Sequence, residues 1–281
     1  MSIRIVTDST CDLPRDQVEQ YRLGIVPLLI NQGGNSFRDG VDLSREAFYA
    51  RLPEYRPAPT TAAPSPEIFQ QVYEKLAQEG ASSILSIHIS ESLSATINSA
   101  RLAAESFSRL PVTVLDSGQL SLGLGFIVEK AAQMVDAGNE MEEILVNLRA
   151  FMKRTYVFAS LKTLEYLRRS GRMHFALARL GEILQIKPLL HMNQGIPSAH
   201  RARTQSRATE RLFEWLQDYA PFERLAVVHA GVQAEAQVMR RRIQDFLPGG
   251  DIPVVQITPV LGAHLGIGAL GFACTSQRSV E

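Results

Sequence analysis

Short runs of β-branched and aliphatic residues alternate with segments of helical periodicity along most of the chain. In the first half, the apolar runs predict strands at residues 3–7, 25–30, 83–88 and 112–115. Periodic spacing of apolar residues predicts helices at 44–52, 66–79, 93–108 and 119–136. Strands that alternate with helices in this way favour a largely parallel sheet with flanking helices.

The second half has a different pattern. A helix is predicted at residues 141–153, and strands are predicted at 156–159, 187–191, 198–201, 225–229, 254–257 and 270–274. The short turn Asn193-Gln194-Gly195 between two of these strands favours a hairpin, and hence a mixed sheet. We therefore predict an α/β fold of two domains, with a largely parallel N-terminal sheet in residues 1–154 and a mixed C-terminal sheet in residues 155–281.

Composition narrows the class of protein. The 281 residues are 45% hydrophobic, which is enough for two buried cores. No apolar run approaches the roughly 18 residues that a membrane-spanning helix needs, and the chain opens on a strand-like segment rather than a leader. Cys11 and Cys274 lack CxxC spacing. We expect a reduced, cytoplasmic protein without a transmembrane segment.

Net charge is zero, because 29 Lys and Arg residues balance 29 Asp and Glu residues. Residues 149–211, however, hold thirteen basic residues against three Glu residues, a net charge of +10, which leaves −10 for the remainder. This basic segment is either a solvated face balanced by acids elsewhere or a binding surface. Its aromatic residues fall mostly at positions that look like core, which argues against an RNA-binding surface.

Hydroxyl-bearing residues follow several predicted strands. Asp8-Ser9 and Asp116-Ser117 come directly after two strands, where open α/β sheets bind ligands, although Asp and Ser are also ordinary turn residues. In the proline-rich loop 59–66, Thr61 is held in a stiff backbone. Ser94 follows another strand and opens a helix, where it could cap the helix or contact an anion.

Residues 262–268 are predicted to form a glycine loop, with three glycines around His264, which could act as a hydrogen-bond donor or acceptor near neutral pH. The chain has no GxxxxGK[ST] phosphate loop, no GxSxG elbow and no HExxH zinc motif. We therefore predict no cofactor and no metal.

Taken in order, six segments resemble the DegV family of bacterial fatty-acid-binding proteins. They are residues 7–13, 37–42, 59–66, 89–100, 168–173 and 262–268. The resemblance implies a long-chain fatty acid, for example palmitate or oleate, between the two domains. It also implies a partner fatty acid kinase that converts the bound acid to an acyl-phosphate, so that this chain is itself no enzyme.

The positions of the family motifs imply roles for individual residues. Thr61 and Ser94 are expected to hold the carboxyl group of the fatty acid. His264, Arg203, Arg172 and Ser117 are expected near the head group or on the kinase-facing side. An alternative from the enzyme class remains open, namely a serine-dependent acyl hydrolase that uses Ser94 or Ser117 with His264.

Overall fold

In the computed structural model, residues 2–172 and 186–278 are described. The strands are β1 Ile3–Asp8, β2 Gly24–Val26, β3 Leu29–Gln32, β4 Asn35–Arg38, β5 Thr60–Ala62, β6 Ser83–His88, β7 Val112–Asp116, β8 Thr155–Ser160, β9 Lys187–Asn193, β10 Ile196–Ala202, β11 Phe222–His229, β12 Val254–Gln256 and β13 Leu270–Ser276. The helices of these ranges are α1 Arg15–Gln20, α2 Arg45–Arg51, α3 Pro66–Gln78, α4 Thr96–Ser106, α5 Ser121–Asp136, α6 Met141–Lys153, α7 Glu165–Arg169, α8 Gln205–Tyr219, α9 Gln233–Arg242 and α10 Pro259–Leu265.

The first sheet has the order β2-β1-β6-β7, and all its strands are parallel. Val6 and Ile84 on one face pack with Phe69 and Tyr73 of α3. The opposite face packs against α5, which is buried along most of its length. The predicted parallel sheet with flanking helices is confirmed.

One predicted strand, residues 25–30, is wrong as a single element. It is divided into β2 and β3, because Pro27 lacks the N–H that would continue the ladder of β2. The strand β3 turns into a separate antiparallel sheet of order β4-β3-β5. The proline-rich loop thus contains the short strand β5, which the sequence analysis did not predict.

The second sheet has the order β10-β9-β8-β13-β11-β12. The pair β11 and β12 is parallel and the other pairs are antiparallel, so the predicted mixed sheet is confirmed. Gln194 and Gly195 both have positive φ, as a two-residue hairpin turn of type I′ requires. Helices α8 and α9 pack on one face, and α5 contacts strands of this sheet as well as of the first.

Several helices begin or lie elsewhere than predicted. The helix predicted at 93–108 begins at Thr96, and the helix predicted at 119–136 begins at Ser121. The predicted glycine loop is largely the helix α10, which ends where Gly266 adopts a φ of +75°. Gly262 lies inside α10, where it allows the ring of Tyr49 to approach the helix.

Candidate functional site

A largely apolar cavity lies between the carboxyl-terminal edge of the first sheet and one face of the second. The space free of protein atoms within it is about 910 Å³, part of which is open to solvent. Its apolar lining comprises Leu28, Ala62, Ala63, Ile89, Leu93, Leu120, Val157, Phe158, Ala159, Leu167, Leu190, Met192, Pro197, Val260, Leu261 and Leu265. None of these residues was predicted from the sequence to belong to a site.

The register of the second sheet gives the cavity one of its walls. Val157 pairs with Met192, and Ala159 pairs with Leu190, so these four side chains share one face of the sheet. His191 lies between two of them and points to the opposite face, where its Nε2 is 2.8 Å from the hydroxyl of Tyr219. This wall therefore presents aliphatic side chains to the cavity.

The polar end of the cavity is built around Thr61 and His264. The strand β5 carries Thr61 and the last turn of α10 carries His264, and Thr61 Oγ1 lies 2.8 Å from His264 Nε2. Both side chains are half-buried and line the cavity. The structure thus brings together two residues that stand 203 positions apart in the sequence.

The electrostatic setting of His264 favours a neutral ring. Burial lowers the pKa of His264 from 6.5 to about 4, and the positive charge of Arg172 adds to this shift. The Nδ1 atom of His264 is buried and has no hydrogen-bond partner within residues 2–172 and 186–278. The carboxylate of a bound acid could therefore supply a negative charge beside His264 that the free protein lacks there.

Ser94 also lines the cavity, at the start of α4. Its Oγ accepts a hydrogen bond from the backbone N–H of Thr96 at 3.3 Å and lies 2.8 Å from the hydroxyl of Thr96. When Thr96 donates to Ser94, the proton of Ser94 is left to donate into the cavity. The cap position of α4 is Ala95, so Ser94 lies just before it, and the hydrogen bond to Thr96 leaves Ser94 able to contact a ligand.

The three other sequence-predicted positions divide into two groups. Arg172 lines the cavity, and its guanidinium donates to the carbonyl of Ser170 at 3.0 Å. Ser117 lies after β7, is fully buried outside the cavity lining, and exchanges hydrogen bonds with Gln119. Arg203 is exposed and lines a separate groove between β10 and α8. The structure therefore gathers Thr61, Ser94, His264 and Arg172, and places Ser117 and Arg203 elsewhere.

The groove that contains Arg203 is rich in charged residues. Arg207 pairs with Glu210 at 2.8 Å, and Arg211 pairs with Glu214 at 2.7 Å along α8. Part of the positive charge of the basic segment is thus balanced locally. The basic residue Arg179 lies outside the described residues.

The geometry of Ser94, Ser117 and His264 differs from the geometry that a serine hydrolase needs. A nucleophilic serine is activated by a hydrogen bond to its histidine base. Within the described part of the chain, the hydrogen bond of His264 goes to Thr61, whereas Ser94 bonds to Thr96. Ser117 bonds to Gln119 in a buried position.

Two further features concern metals and membranes. In the part of the chain that the structure describes, no group of three or more His, Cys, Asp or Glu side chains is placed to hold a metal ion. No helix of the same residues combines the length and the apolar character needed to cross a bilayer.

Comparison with known proteins identifies the family. The DegV family model matches residues 2–277. A DegV domain-containing protein of Streptomyces coelicolor is 35% identical over 280 residues, which cover 98% of this chain and 99% of that protein. A fatty-acid-binding DegV family protein from Thermus thermophilus has a similar structure, with a TM-score of 0.88 and 35% identity over 98% of this chain and 100% of that one. DegV of Bacillus subtilis, a fatty-acid-binding protein, gives a TM-score of 0.89 and 29% identity over 98% and 100% of the two chains. The chain belongs to the DegV family.

Proposed function

We propose that this protein binds a long-chain fatty acid in the cavity, between an N-terminal domain of residues 1–154 and a C-terminal domain of residues 155–281. The carboxyl group lies at Thr61, Ser94 and His264, and the acyl chain runs along the apolar lining. The observation that carries this proposal is the cavity itself, whose largely apolar lining includes the hydrogen-bonded pair Thr61 and His264 together with Ser94 and Arg172. The fatty-acid-binding relatives of similar structure support it.

Burial of the acyl chain supplies the affinity. Roughly 14 methylenes at about 0.8 kcal/mol each provide on the order of 11 kcal/mol of gross stabilisation. Lost translational freedom and ordering of the chain offset part of this sum. The walls formed by Leu190 and Met192 and by Val260 and Leu261 are aliphatic, so they impose no hydrogen-bond requirement on the chain.

The carboxyl group is held by donors that need not carry a charge. With its proton on Nε2, the neutral ring of His264 donates to Thr61 Oγ1, and the hydroxyl proton of Thr61 is then free to donate to the ligand. Ser94 supplies a second hydroxyl. Hydrogen bonds to a charged acceptor are the stronger kind, about 1.5–3 kcal/mol each, so these two donors orient the head group.

We further propose that a separate ATP-dependent fatty acid kinase acts on the bound acid. The carboxylate oxygen attacks the γ-phosphorus of ATP, ADP leaves, and an acyl-phosphate results. The chain has no phosphate loop of its own, which supports a division of labour in which it binds and presents the acid. Cys11 and Cys274 are both free thiols in buried positions, which supports a cytoplasmic location.

Identification of the bound molecule tests the binding proposal. Native mass spectrometry of protein purified from a bacterial host, followed by organic extraction, is expected to yield an acid of roughly 14 to 18 carbons, in keeping with the methylene count above. Palmitate and oleate should raise the melting temperature of delipidated protein. An empty protein whose melting temperature neither acid changes would overturn the proposal.

The kinase proposal has its own test. Arg203→Glu should impair phosphorylation of bound oleate by a fatty acid kinase more than it impairs oleate binding, because Arg203 is exposed and is not part of the cavity lining. Arg15→Glu makes the same charge change on an exposed arginine of α1 and is the matched control. Equal loss of binding and phosphorylation would contradict a docking role, and ATP hydrolysis by the purified chain alone would contradict the division of labour.

A further inference from the structure

The helix that carries His264 is hydrogen-bonded at its beginning to two buried carboxylates from the first half of the chain. Thr258 immediately precedes α10, and its backbone N–H donates to Asp12 Oδ1 at 2.8 Å. Its hydroxyl does not cap the helix but donates to Asp39 Oδ2. Two acids distant in sequence thus hold a single residue at the start of α10.

These acids are themselves held from several sides. Arg45 Nη2 of α2 lies 3.1 Å from Asp12 Oδ1, and the hydroxyl of Ser121 donates to Asp12 Oδ2 at 2.7 Å. Arg45 also donates to the carbonyl of Gln256 on β12. The network therefore connects α2 and α5 of the first half with the segment that leads from β12 into α10.

The rest of α10 is confined by two tyrosines. The hydroxyl of Tyr49 donates to the carbonyl of Ile257 at 3.2 Å, and a side chain at position 262 would overlap the Tyr49 ring. At the other end, a side chain at position 266 would overlap the ring of Tyr166. His264 lies between these two restraints, two residues before Gly266.

Burying the two carboxylates that hold the start of α10 costs folding free energy. Asp12 and Asp39 are almost completely buried, and one arginine faces the pair. Burial raises the pKa of each to about 6. Buried ionic groups often stabilise a fold less than neutral residues of similar size do, so this arrangement favours a role in geometry over a role in stability.

We propose that Asp12 and Asp39, acting through Thr258, are positioning residues that set His264 against Thr61. This inference rests on the proposed fatty-acid site for its functional consequence. Thr61 belongs to the first half and His264 to the second, so their 2.8 Å contact depends on how α10 is registered against the first half. The hydrogen bonds of Thr258 are the polar contacts that set this register at the first residue of the helix boundary, next to those of Gln256 and Ile257.

A pair of substitutions at Thr258 tests the proposal. Thr258→Val keeps the shape and removes the donor to Asp39, whereas Thr258→Ser keeps the donor and is the conservative control. In the protein without ligand, Thr258→Val should move the ring ¹⁵N and ¹³C resonances of His264, and Thr258→Ser should leave them near the wild-type positions. Oleate affinity should fall by about tenfold in Thr258→Val, the equivalent of one lost hydrogen bond to a charged group, and by less than about threefold in Thr258→Ser.

The outcomes separate this inference from the proposed function. Resonances of His264 that are unchanged in a folded Thr258→Val variant overturn the positioning role, whatever the protein binds. Moved resonances in a protein that binds no fatty acid support the positioning role and overturn the proposed function instead. If Thr258→Val does not fold, Asp39→Leu removes the acceptor of the same hydrogen bond, and Asp39→Asn, whose amide oxygen still accepts the Thr258 hydroxyl, is its conservative control.

Discussion

Removal of one hydroxyl, by Thr61→Val, tests the head-group site most directly. Valine has nearly the shape of threonine and favours strands, so β5 should keep its pairing with Ile30 of β3. The variant loses the donor to the carboxylate and leaves His264 Nε2 without its partner. A lost hydrogen bond to a charged group costs about 1.5–3 kcal/mol, so the affinity for oleate should fall roughly 10- to 150-fold.

The neighbouring residue supplies a matched control. Thr60 lies on the same strand and is exposed to solvent, outside the cavity lining. Displacement of a fluorescent fatty acid would measure affinity, and thermal unfolding would verify that both variants remain folded. The reasoning is refuted if Thr61→Val binds oleate within about twofold of wild type, or if Thr60→Val loses as much affinity as Thr61→Val. Thr61→Ser should restore most of the binding.

Three further predictions follow from the same geometry. Burial holds the pKa of His264 at about 4 in the free protein, and a bound carboxylate raises it. Binding should therefore take up protons at pH values above 4 and strengthen as pH falls towards 4. Calorimetry in buffers of different ionisation enthalpy should detect an uptake that His264→Gln reduces. Burial raises the pKa of Asp39 from 3.8 to about 6, so its contribution to stability is fully present below pH 3.8 and is lost as pH rises through 6. Asp39→Asn should therefore flatten the pH dependence of the melting temperature between pH 4 and 7.5, and an unchanged slope would contradict this. Met192→Trp should fill part of the cavity and weaken the binding of the longest fatty acids by roughly fourfold for each methylene that no longer fits. Competition among acids of increasing length measures this effect. Equal loss of affinity at all lengths would count against a position of Met192 in the cavity wall.

The two central strands of the first sheet, β1 and β6, were predictable because most of their residues are buried. β1 and β6 are short, mostly aliphatic runs bounded by polar residues. This pattern does not depend on which helices pack on the two strands. β4, with the sequence Asn-Ser-Phe-Arg, has no such pattern, because it lies in a small sheet where most of its residues face solvent. Its strand conformation depends on pairing with β3, which is a tertiary property.

The glycine segment shows where local reasoning fails. Three glycines in seven residues favour a loop, since glycine weakens a helix by about 1 kcal/mol. The structure forms α10 there because Gly262 lets Tyr49 approach closely, and because Thr258 fastens the beginning of the helix. Neither compensation is visible from the local sequence, because the partners Tyr49, Asp12 and Asp39 lie more than 200 residues away.

Only part of the candidate site could be predicted from the sequence. Thr61, Ser94, Arg172 and His264 followed from the resemblance to a family, and the structure places all four on one cavity. The apolar lining could not be predicted, because it is assembled from the ends of several strands and from one sheet face whose register sequence periodicity does not determine. Ordinary leucines and valines carry no local sign that they face a cavity instead of a core.

A search based on residue type alone would have selected a different group of residues as the candidate site. Ser86, His88 and Asp8 form a hydrogen-bonded chain, with Ser86 Oγ 2.7 Å from His88 Nε2 and His88 Nδ1 3.1 Å from Asp8 Oδ2, which is the order of a serine-hydrolase triad. All three side chains are fully buried, and Ser86 is closed off by the hydroxyl of Tyr73 at 2.9 Å. A substrate cannot reach this serine without unfolding of the first sheet, so the chain satisfies polar groups that the parallel strands bury. Thr61 and His264 form a less familiar pair, yet they are half-buried at the wall of a cavity. Access to that space favours the proposed ligand-binding role of Thr61 and His264, and the same criterion excludes the buried serine.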